Sequence, residues 1–178
     1  WSAPGFAESW EQPDPQTLLL HLRKNAIWDR RAPTSGRTVD SSDVLFSWNK
    51  FAAKSTNKGY LSHAADPNAP FDAMDAPDQF TVQVKQAAPF APLLAYLAFG
   101  NWLRIQPKEA DGGFDPNNET RGFGPWILDN YQRSVVFQFK KNPDYYLKDQ
   151  KIPFLDGIDL PIIAEYAAGL AQFKAKKI

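Results

Sequence analysis

The fifteen prolines of this 178-residue chain restrict its fold more than any other feature. Proline fixes its own φ and has no backbone N–H to donate, so it interrupts helix interiors and central strands. Ordinary proteins contain roughly 5% proline. Aromatic residues add a further 14% of the sequence and supply large, flat packing surfaces. We therefore expect short strands and short helices that are separated by well-defined loops.

The clearest helix signal follows Asp40. Asp40 is a good N-cap, and Asp43, three residues on, also favours the positive end of a helix. The next apolar residues recur at helical spacing and predict one buried face, which is formed by Val44, Leu45, Trp48, Phe51 and Ala52. We expect a helix from Ser41 to about residue 53 or 54, after a strand at residues 17–23 and a loop at residues 29–38.

Other elements are predicted by the alternation of apolar and polar residues and by prolines that interrupt regular structure. Phe80, Val82 and Val84 alternate with polar residues and predict a strand, whereas the prolines of residues 66–77 predict an irregular segment. We also expect a short helix at 93–99, a loop at 107–118, and a hairpin that turns near Asp129-Asn130. A strand at 158–162, in which Pro161 indicates an edge or a bulge, and a helix at 165–177 complete a fold of the α+β (mixed α/β) class.

Charge and composition argue against several functional classes. Lys+Arg and Asp+Glu both number 20, so the basic excess of a nucleic-acid-binding protein is missing. No apolar run reaches the roughly 18 residues that a membrane-spanning helix needs. Cysteine is absent, which removes disulfides, thiolate nucleophiles and cysteine zinc sites. The sequence indicates no cofactor.

Motifs for catalysis are also missing. The two histidines, His21 and His63, have no partner at metal-ligand spacing, and neither a nucleophile elbow nor a phosphate-binding loop occurs. Residues 122–124 (GFG) lack the third glycine of a dinucleotide fingerprint, so we interpret them as a tight turn. Acidic pairs, Glu11 with Asp14 and Asp72 with Asp75, sit among polar residues and are interpreted as solvated.

Seven segments resemble, in order, the family 5 extracellular solute-binding proteins. That family comprises the periplasmic peptide, oligopeptide and nickel binders of ABC importers. The segments lie across nearly the whole chain and are residues 6–11 (FAESWE), 20–28 (LHLRKNAIW), 39–48 (VDSSDVLFSW), 76–82 (APDQFTV), 122–128 (GFGPWIL), 142–146 (NPDYY) and 169–175 (GLAQFKA).

The resemblance implies part of a periplasmic-binding-protein type II fold. Family members are about three times longer, so residues 1–106 are expected to be the small extra domain and residues 107–178 the returning part of lobe I. The amino-terminal segment and the second lobe are expected to be absent. The family captures a peptide or similar small solute, delivers it to membrane permease subunits, and is exported as a periplasmic protein or a cell-surface lipoprotein. It does no catalysis.

Loop aromatics are the candidate ligand residues. Tyr60, Trp102, Tyr145 and Tyr146 lie in or beside polar loops. The resemblance implies a ligand-facing role for Tyr60, which follows the capped helix, and then for Trp102, which follows the short apolar helix. Two alternatives stay open: a stand-alone interaction or adhesion domain with exposed aromatics, and a hydrolase that acts through a carboxylate pair. The motifs do not identify the ligand.

Overall fold

The computed structural model describes residues 5–100 and 102–178, so the start of the predicted first domain, from Trp1, lies outside the described residues. A four-stranded antiparallel sheet organises the first part. Its strands are β1 (Ala7–Asp14), β2 (Thr17–Leu22), β3 (Phe71–Asp78) and β4 (Thr81–Gln86), in the order β1-β2-β4-β3. The helices α1 (Ser41–Lys54) and α2 (Leu93–Ala98) belong to the same part.

Strand alternation explains the main core. One face of the sheet presents Leu18 and Leu22 from β2 and Val82 and Val84 from β4, all buried. Helix α1 adds Trp48 and other apolar residues of the predicted stripe, which confirms that stripe. The rest of this core is formed by Val44, Phe51, Leu61, Phe71, Met74 and Leu93. Phe80 does not belong to β4 as predicted: it lies in the turn before the strand and is half-buried.

The predicted cap of α1 is confirmed. The Asp40 side chain accepts from the backbone N–H of Ser42, and the Asp43 side chain accepts from the N–H of Asp40. This reciprocal capping box satisfies donors that the first helical turn leaves without partners. The helix ends at Lys54, whose positive charge suits the carboxyl end of the helix.

The prediction that residues 66–77 are irregular is wrong in its second half. Strand β3 occupies Phe71–Asp78 and contains Pro77. It lies at the edge of the sheet, and its pairing with β4 shifts register between Asp75 and Asp78. An edge strand with a bulge tolerates proline, because the missing N–H then leaves no partner unsatisfied in the ladder.

A second, three-stranded antiparallel sheet follows: β5 (Trp126–Gln132), β6 (Val136–Lys141) and β7 (Gly157–Pro161). The predicted turn at Asp129-Asn130 is wrong, because β5 continues through both residues with a register shift between Leu128 and Asn130. The chain turns instead at residues 133–135, where Ser134 has a φ of 61°. Strand β7 lies at the edge of its sheet, one of the two explanations that Pro161 offered, and it ends at Pro161, one residue before the predicted end.

Helix α3 (Tyr166–Lys174) lies inside the predicted range 165–177. The chain contains both helices and antiparallel sheets, and strands and helices do not alternate regularly along it, which confirms the mixed α/β class. Contacts between loops join the two parts of the chain: Arg30 binds Asp144 through two hydrogen bonds of 2.6 and 2.9 Å, and Trp28 meets Phe123 edge to face. None of the helices in residues 5–100 and 102–178 has the length and apolar character to cross a membrane.

Candidate functional site

A stacked aromatic pair forms the centre of the candidate site. The rings of Tyr60 and Trp102 lie 5.5 Å apart between centroids and are parallel within 9°. Tyr60 ends a short 3₁₀ turn (Lys58–Tyr60) after α1, and Trp102 follows α2. Trp102 also contacts Tyr96 and Phe99, at centroid distances of 4.6 and 4.8 Å. The structure therefore brings together the two residues that the sequence nominated.

This aromatic cluster lies at the border of the main core: Trp102 and Tyr96 are partly buried and pack against that core, whereas Tyr60 and Phe99 are exposed. Tyr60 keeps 58% of its surface exposed and Phe99 keeps 47%, whereas Trp48 and Phe71 of the core are buried. Contiguous exposed aromatic surface is typical of binding sites. The predictions for Tyr60 and Trp102 stay predictions, because neither geometry nor exposure identifies what they bind.

A groove of about 450 Å³ runs beside Trp102. Its walls come from the second half of α1 and from residues 104–106, and they carry both aromatic and cationic groups. The lining residues are Ser47, Lys50, Phe51, Lys54, Ser55, Trp102, Arg104 and Gln106. Sequence reasoning missed Lys54 and Arg104, because isolated surface cations carry no local signal of a site.

Ser47 attaches the far wall of the groove to α1. Its hydroxyl accepts from the backbone N–H of Gln106 at 2.8 Å and donates to the backbone carbonyl of Asp43 at 2.7 Å. Ser47 is buried, so these bonds are shielded from competing water. The groove wall is therefore set by a tertiary contact rather than by a loop that is free to move.

A charge network around the buried Asp43 strengthens the same attachment. Arg37 binds Asp43 through hydrogen bonds of 2.8 and 2.6 Å and binds Glu109 through two more of 2.7 and 2.6 Å. Asp43 also accepts from the indole N–H of Trp28 and the backbone N–H of Lys108. This network joins α1, the loop at 29–38 and the 3₁₀ turn Lys108–Ala110.

The network explains the pKa directions of its members. Burial alone would raise the pKa of Asp43, but the hydrogen bonds from Arg37 and Trp28 outweigh burial and hold it below its usual value. The hydrogen bonds from Arg37 likewise lower the pKa of Glu109. The two carboxylates raise the pKa of Arg37. All three groups are therefore charged at neutral pH.

Other candidate residues have structural partners. Tyr145 is buried, and burial raises the pKa of Tyr146, whose ring packs 4.5 Å from Tyr145. His21 pairs with Glu11 at 3.1 Å, and His63 lies 3.2 Å from the carbonyl of Ala69. We therefore assign none of these side chains to the candidate site.

The glycine turn and the acidic pairs also have simple explanations. The carbonyl of Gly122 accepts from the N–H of Asp29 at 2.9 Å, and Phe123 packs on the small core of Ala26, Trp28 and Val39. The four carboxylates considered as pairs are all exposed: Glu11, Asp14, Asp72 and Asp75. Across the described part of the chain, no group of three or more His, Asp or Glu side chains is arranged to hold a metal ion.

Comparison with known proteins gives one family and a consistent fold. The family model described as "Bacterial extracellular solute-binding proteins, family 5 Middle" matches residues 3–178. Di/tripeptide-binding protein 1 of Pseudomonas aeruginosa is 30% identical over 169 residues, which cover 83% of this chain and 30% of that protein. A probable ABC transporter-binding protein of Deinococcus radiodurans is 28% identical over an alignment of 196 positions, which covers 97% of this chain and 32% of that protein.

Solved structures give the same picture. The periplasmic binding protein AgaA of A. tumefaciens R10, in complex with agropinic acid, has a TM-score of 0.80 at 25% identity and matches 98% of this chain. The periplasmic binding protein DppA of Helicobacter pylori, in complex with the peptide STSA, has a TM-score of 0.75 at 24% identity. The chain spans 34% and 36% of these two proteins, about a third of each.

Proposed function

This chain belongs to the bacterial extracellular solute-binding proteins of family 5, and we propose that it is part of the substrate-binding component of an ABC-type importer. In that role the protein captures a short peptide or a similar small solute outside the cytoplasmic membrane and delivers it to the permease subunits. The relatives named as di/tripeptide-binding proteins support this solute class. We place the protein in the periplasm, or at the cell surface as a lipoprotein, and propose no catalytic role.

The observation that carries the proposal for the site is the stacked pair of the exposed Tyr60 and the partly buried Trp102 beside a groove. A parallel ring pair offers a flat apolar surface, and the groove offers polar groups next to it. Solute sites combine these two features, because the apolar surface supplies binding energy and the polar groups fix orientation. We propose that Tyr60 and Trp102 contact the solute.

The chain supplies only one side of this site. Residues 1–106 are proposed as the small extra domain and residues 107–178 as the returning part of lobe I, a division that separates the two sheets. A second lobe, outside this sequence, closes on the solute by a hinge motion. The groove and the Tyr60 ring are open to water here, as one half of a two-sided site would be.

Calorimetric titration of the full-length gene product with trialanine tests the function. Micromolar binding, with the peptide recovered intact, is the expected result. Tyr60→Ala should weaken binding about tenfold, or about 1.4 kcal/mol, which corresponds to the loss of roughly 55 Å² of apolar contact at about 25 cal/mol per Å². Phe154→Ala is the matched control, since Phe154 is 84% exposed and does not line the groove.

Four outcomes argue against parts of the proposal. No binding of any short peptide contradicts the solute class, and hydrolysed trialanine favours the carboxylate hydrolase. Equal losses in Tyr60→Ala and Phe154→Ala remove Tyr60 from the site. The 178-residue chain alone should bind trialanine with a dissociation constant in the millimolar range or weaker. About half of the contacts to the solute would be missing, whereas the entropic cost of immobilising the solute would be the same as in the full-length protein. Micromolar binding by this chain alone would show a self-contained site.

A further inference from the structure

We propose that the first part of the chain holds a second binding site, an apolar cavity that takes a small uncharged apolar molecule. The cavity measures about 280 Å³ and is bounded by the four-stranded sheet and by α2. Its floor consists of buried side chains, Leu22 and Val82 from the sheet and Val44 from α1. Leu94 and Leu97 line it from α2. This site goes beyond the proposed solute function and does not rest on it.

The lining of the cavity selects against charge. Among the lining residues that the structure describes, none has a charged, hydroxyl or amide side chain, and the only side-chain heteroatoms are those of Trp10 and Met74. An ion that entered would lose its hydration and gain no charged partner. Water is also disfavoured, because a buried water needs two to four polar partners. The chemistry of the lining therefore favours an uncharged apolar ligand.

The size of the cavity limits the occupant to a small molecule. An apolar cavity of about 150 Å³ in another protein stays dry and binds benzene. Small-molecule sites usually measure about 300–1,000 Å³, so a cavity of about 280 Å³ suits a single ring with a short substituent. The sheet and α2 belong to one chain and bound the cavity together, so a helix or strand of a partner protein could enter only by separating them.

The walls of the cavity are packed less tightly than a core. Five of the lining residues are aliphatic and only half-buried: Leu20, Leu94, Leu97, Leu103 and Ile105. Protein cores normally interdigitate with few voids larger than a water molecule, and an empty cavity destabilises a fold in proportion to its volume. An apolar ligand would cover these side chains and restore the dispersion contacts that the void removes.

Helix α2 is the wall that can move to admit a ligand. It has six residues, its N-cap Pro92 provides no side-chain hydrogen bond, and only Leu93 is buried. In the described ranges, 5–100 and 102–178, no hydrogen bond joins residues 93–98 to the sheet. Apolar contact therefore holds α2 in place, and such weakly attached elements open at low free-energy cost. The exposed lining residues Trp10 and Ala98 mark the mouth of the cavity.

The cavity is separate from the groove beside Trp102. Leu103 and Ile105 line the cavity, whereas Trp102 and Arg104 line the groove. Alternate residues of one segment therefore contribute to the two sites, which lie on opposite sides of that segment. A molecule in the cavity leaves the stacked Tyr60–Trp102 pair free, so it should not compete with trialanine.

Titration of the full-length gene product with toluene tests the proposal. Met74 is the single methionine of this sequence and lines the cavity, so its methyl resonance reports binding at this place. The resonance is assigned by its loss in Met74→Leu. Toluene should shift it through the ring current, saturate at one molecule per chain, and raise the melting temperature. Benzoate, the charged counterpart, should bind at least roughly 100-fold more weakly, because its carboxylate would be buried without a partner.

Two substitutions at Leu97 change the cavity in opposite directions. Leu97→Trp fills it and should weaken toluene binding by at least about tenfold, whereas Leu97→Ala enlarges it and should strengthen binding of butylbenzene by about tenfold. The matched control is Ala95→Trp, at an exposed position of α2 that does not line the cavity, and it should keep the affinity for toluene. Thermal unfolding shows whether each variant is folded, and Leu97→Ala decides if Leu97→Trp is not.

Four results overturn the proposal. A Met74 resonance that toluene leaves unchanged shows that another part of the full-length protein fills or covers the cavity. Equal affinities for toluene and benzoate, or equal weakening in Leu97→Trp and Ala95→Trp, remove the apolar selectivity or the location. Competition between toluene and trialanine would place toluene on the aromatic pair instead. Toluene binding without any trialanine binding overturns the proposed function alone and leaves the cavity standing.

Discussion

Asp43 gives the sharpest test of how the groove wall is held. Its side chain is fully buried and accepts hydrogen bonds from Trp28, Arg37, Lys108 and Asp40. Asp43→Ala removes all five of these hydrogen bonds, two of which come from Arg37. It leaves the indole N–H of Trp28 buried without a partner and takes from Arg37 one of its two carboxylates.

The expected cost follows from these contacts. Breaking a buried ion pair by removing one partner costs about 3–5 kcal/mol. Arg37 is 26% exposed and keeps Glu109, which favours the lower end of that range. The unsatisfied donors add to the cost, so we expect Asp43→Ala to lower the free energy of unfolding by about 3–4 kcal/mol. Asp43→Asn keeps one acceptor oxygen and should cost about 2 kcal/mol.

Guanidinium unfolding at pH 7, followed by tryptophan fluorescence, measures both variants. Asp149→Ala is the matched control, because Asp149 is an exposed carboxylate in the 3₁₀ turn Lys148–Gln150 and should change stability little. A loss below about 0.5 kcal/mol in Asp43→Ala would refute the reasoning, because the network would then contribute nothing beyond its surface contacts.

The pH dependence provides a second readout of the same pair. The folded-state pKa of Asp43 is lowered, as is that of Glu109. A lowered carboxyl pKa contributes stability that is present above the unfolded value of about 4 and is lost as the pH falls through the folded value. The stability difference between the unmodified protein and Asp43→Asn should therefore be constant at neutral pH and shrink below about pH 4. A difference that grows on acidification contradicts this.

Two further predictions concern local geometry. Asp40→Ala should cost about 1 kcal/mol by removing the cap of α1, and an unchanged melting temperature would count against the cap. Gly113→Ala should cost about 1–3 kcal/mol, since its Cβ would come within 2.5 Å of the Glu109 carbonyl and 2.8 Å of Pro33. Gly124→Ala, where nothing lies within 4 Å, is the control, and equal melting temperatures for the two alanine variants would contradict the clash.

Elements with strong local signals could be predicted from the sequence. The Asp40/Asp43 spacing and the stripe through Trp48 lie within one helix, so local rules suffice for α1. Strand β4 follows from its strict alternation. Local rules failed where tertiary position decides. Pro77 is tolerated because β3 is an edge strand. Turn propensity predicts that β5 ends at Asn130, but pairing with β6 continues the strand beyond this residue.

The candidate site was half predictable for the same reason. Tyr60 and Trp102 are forty-two positions apart, and their stacking depends on where α1 and α2 end. Arg104 and Lys54 look like ordinary surface cations until the Ser47–Gln106 contact brings their segments to one groove. A pairing that depends on tertiary contacts leaves no periodic signal in the sequence.

The exposure of Tyr60 is the feature that packing explains least. Burying a large apolar side chain stabilises a fold by about 1.5–3 kcal/mol, yet Tyr60 leaves more than half of its surface in water. Stacking on Trp102 fixes the orientation of the ring without burying it. A ring that is held rigid and exposed adds little to stability, but it needs little further ordering when a solute binds. That lower entropic cost is the advantage of a binding surface that is already organised before the ligand arrives.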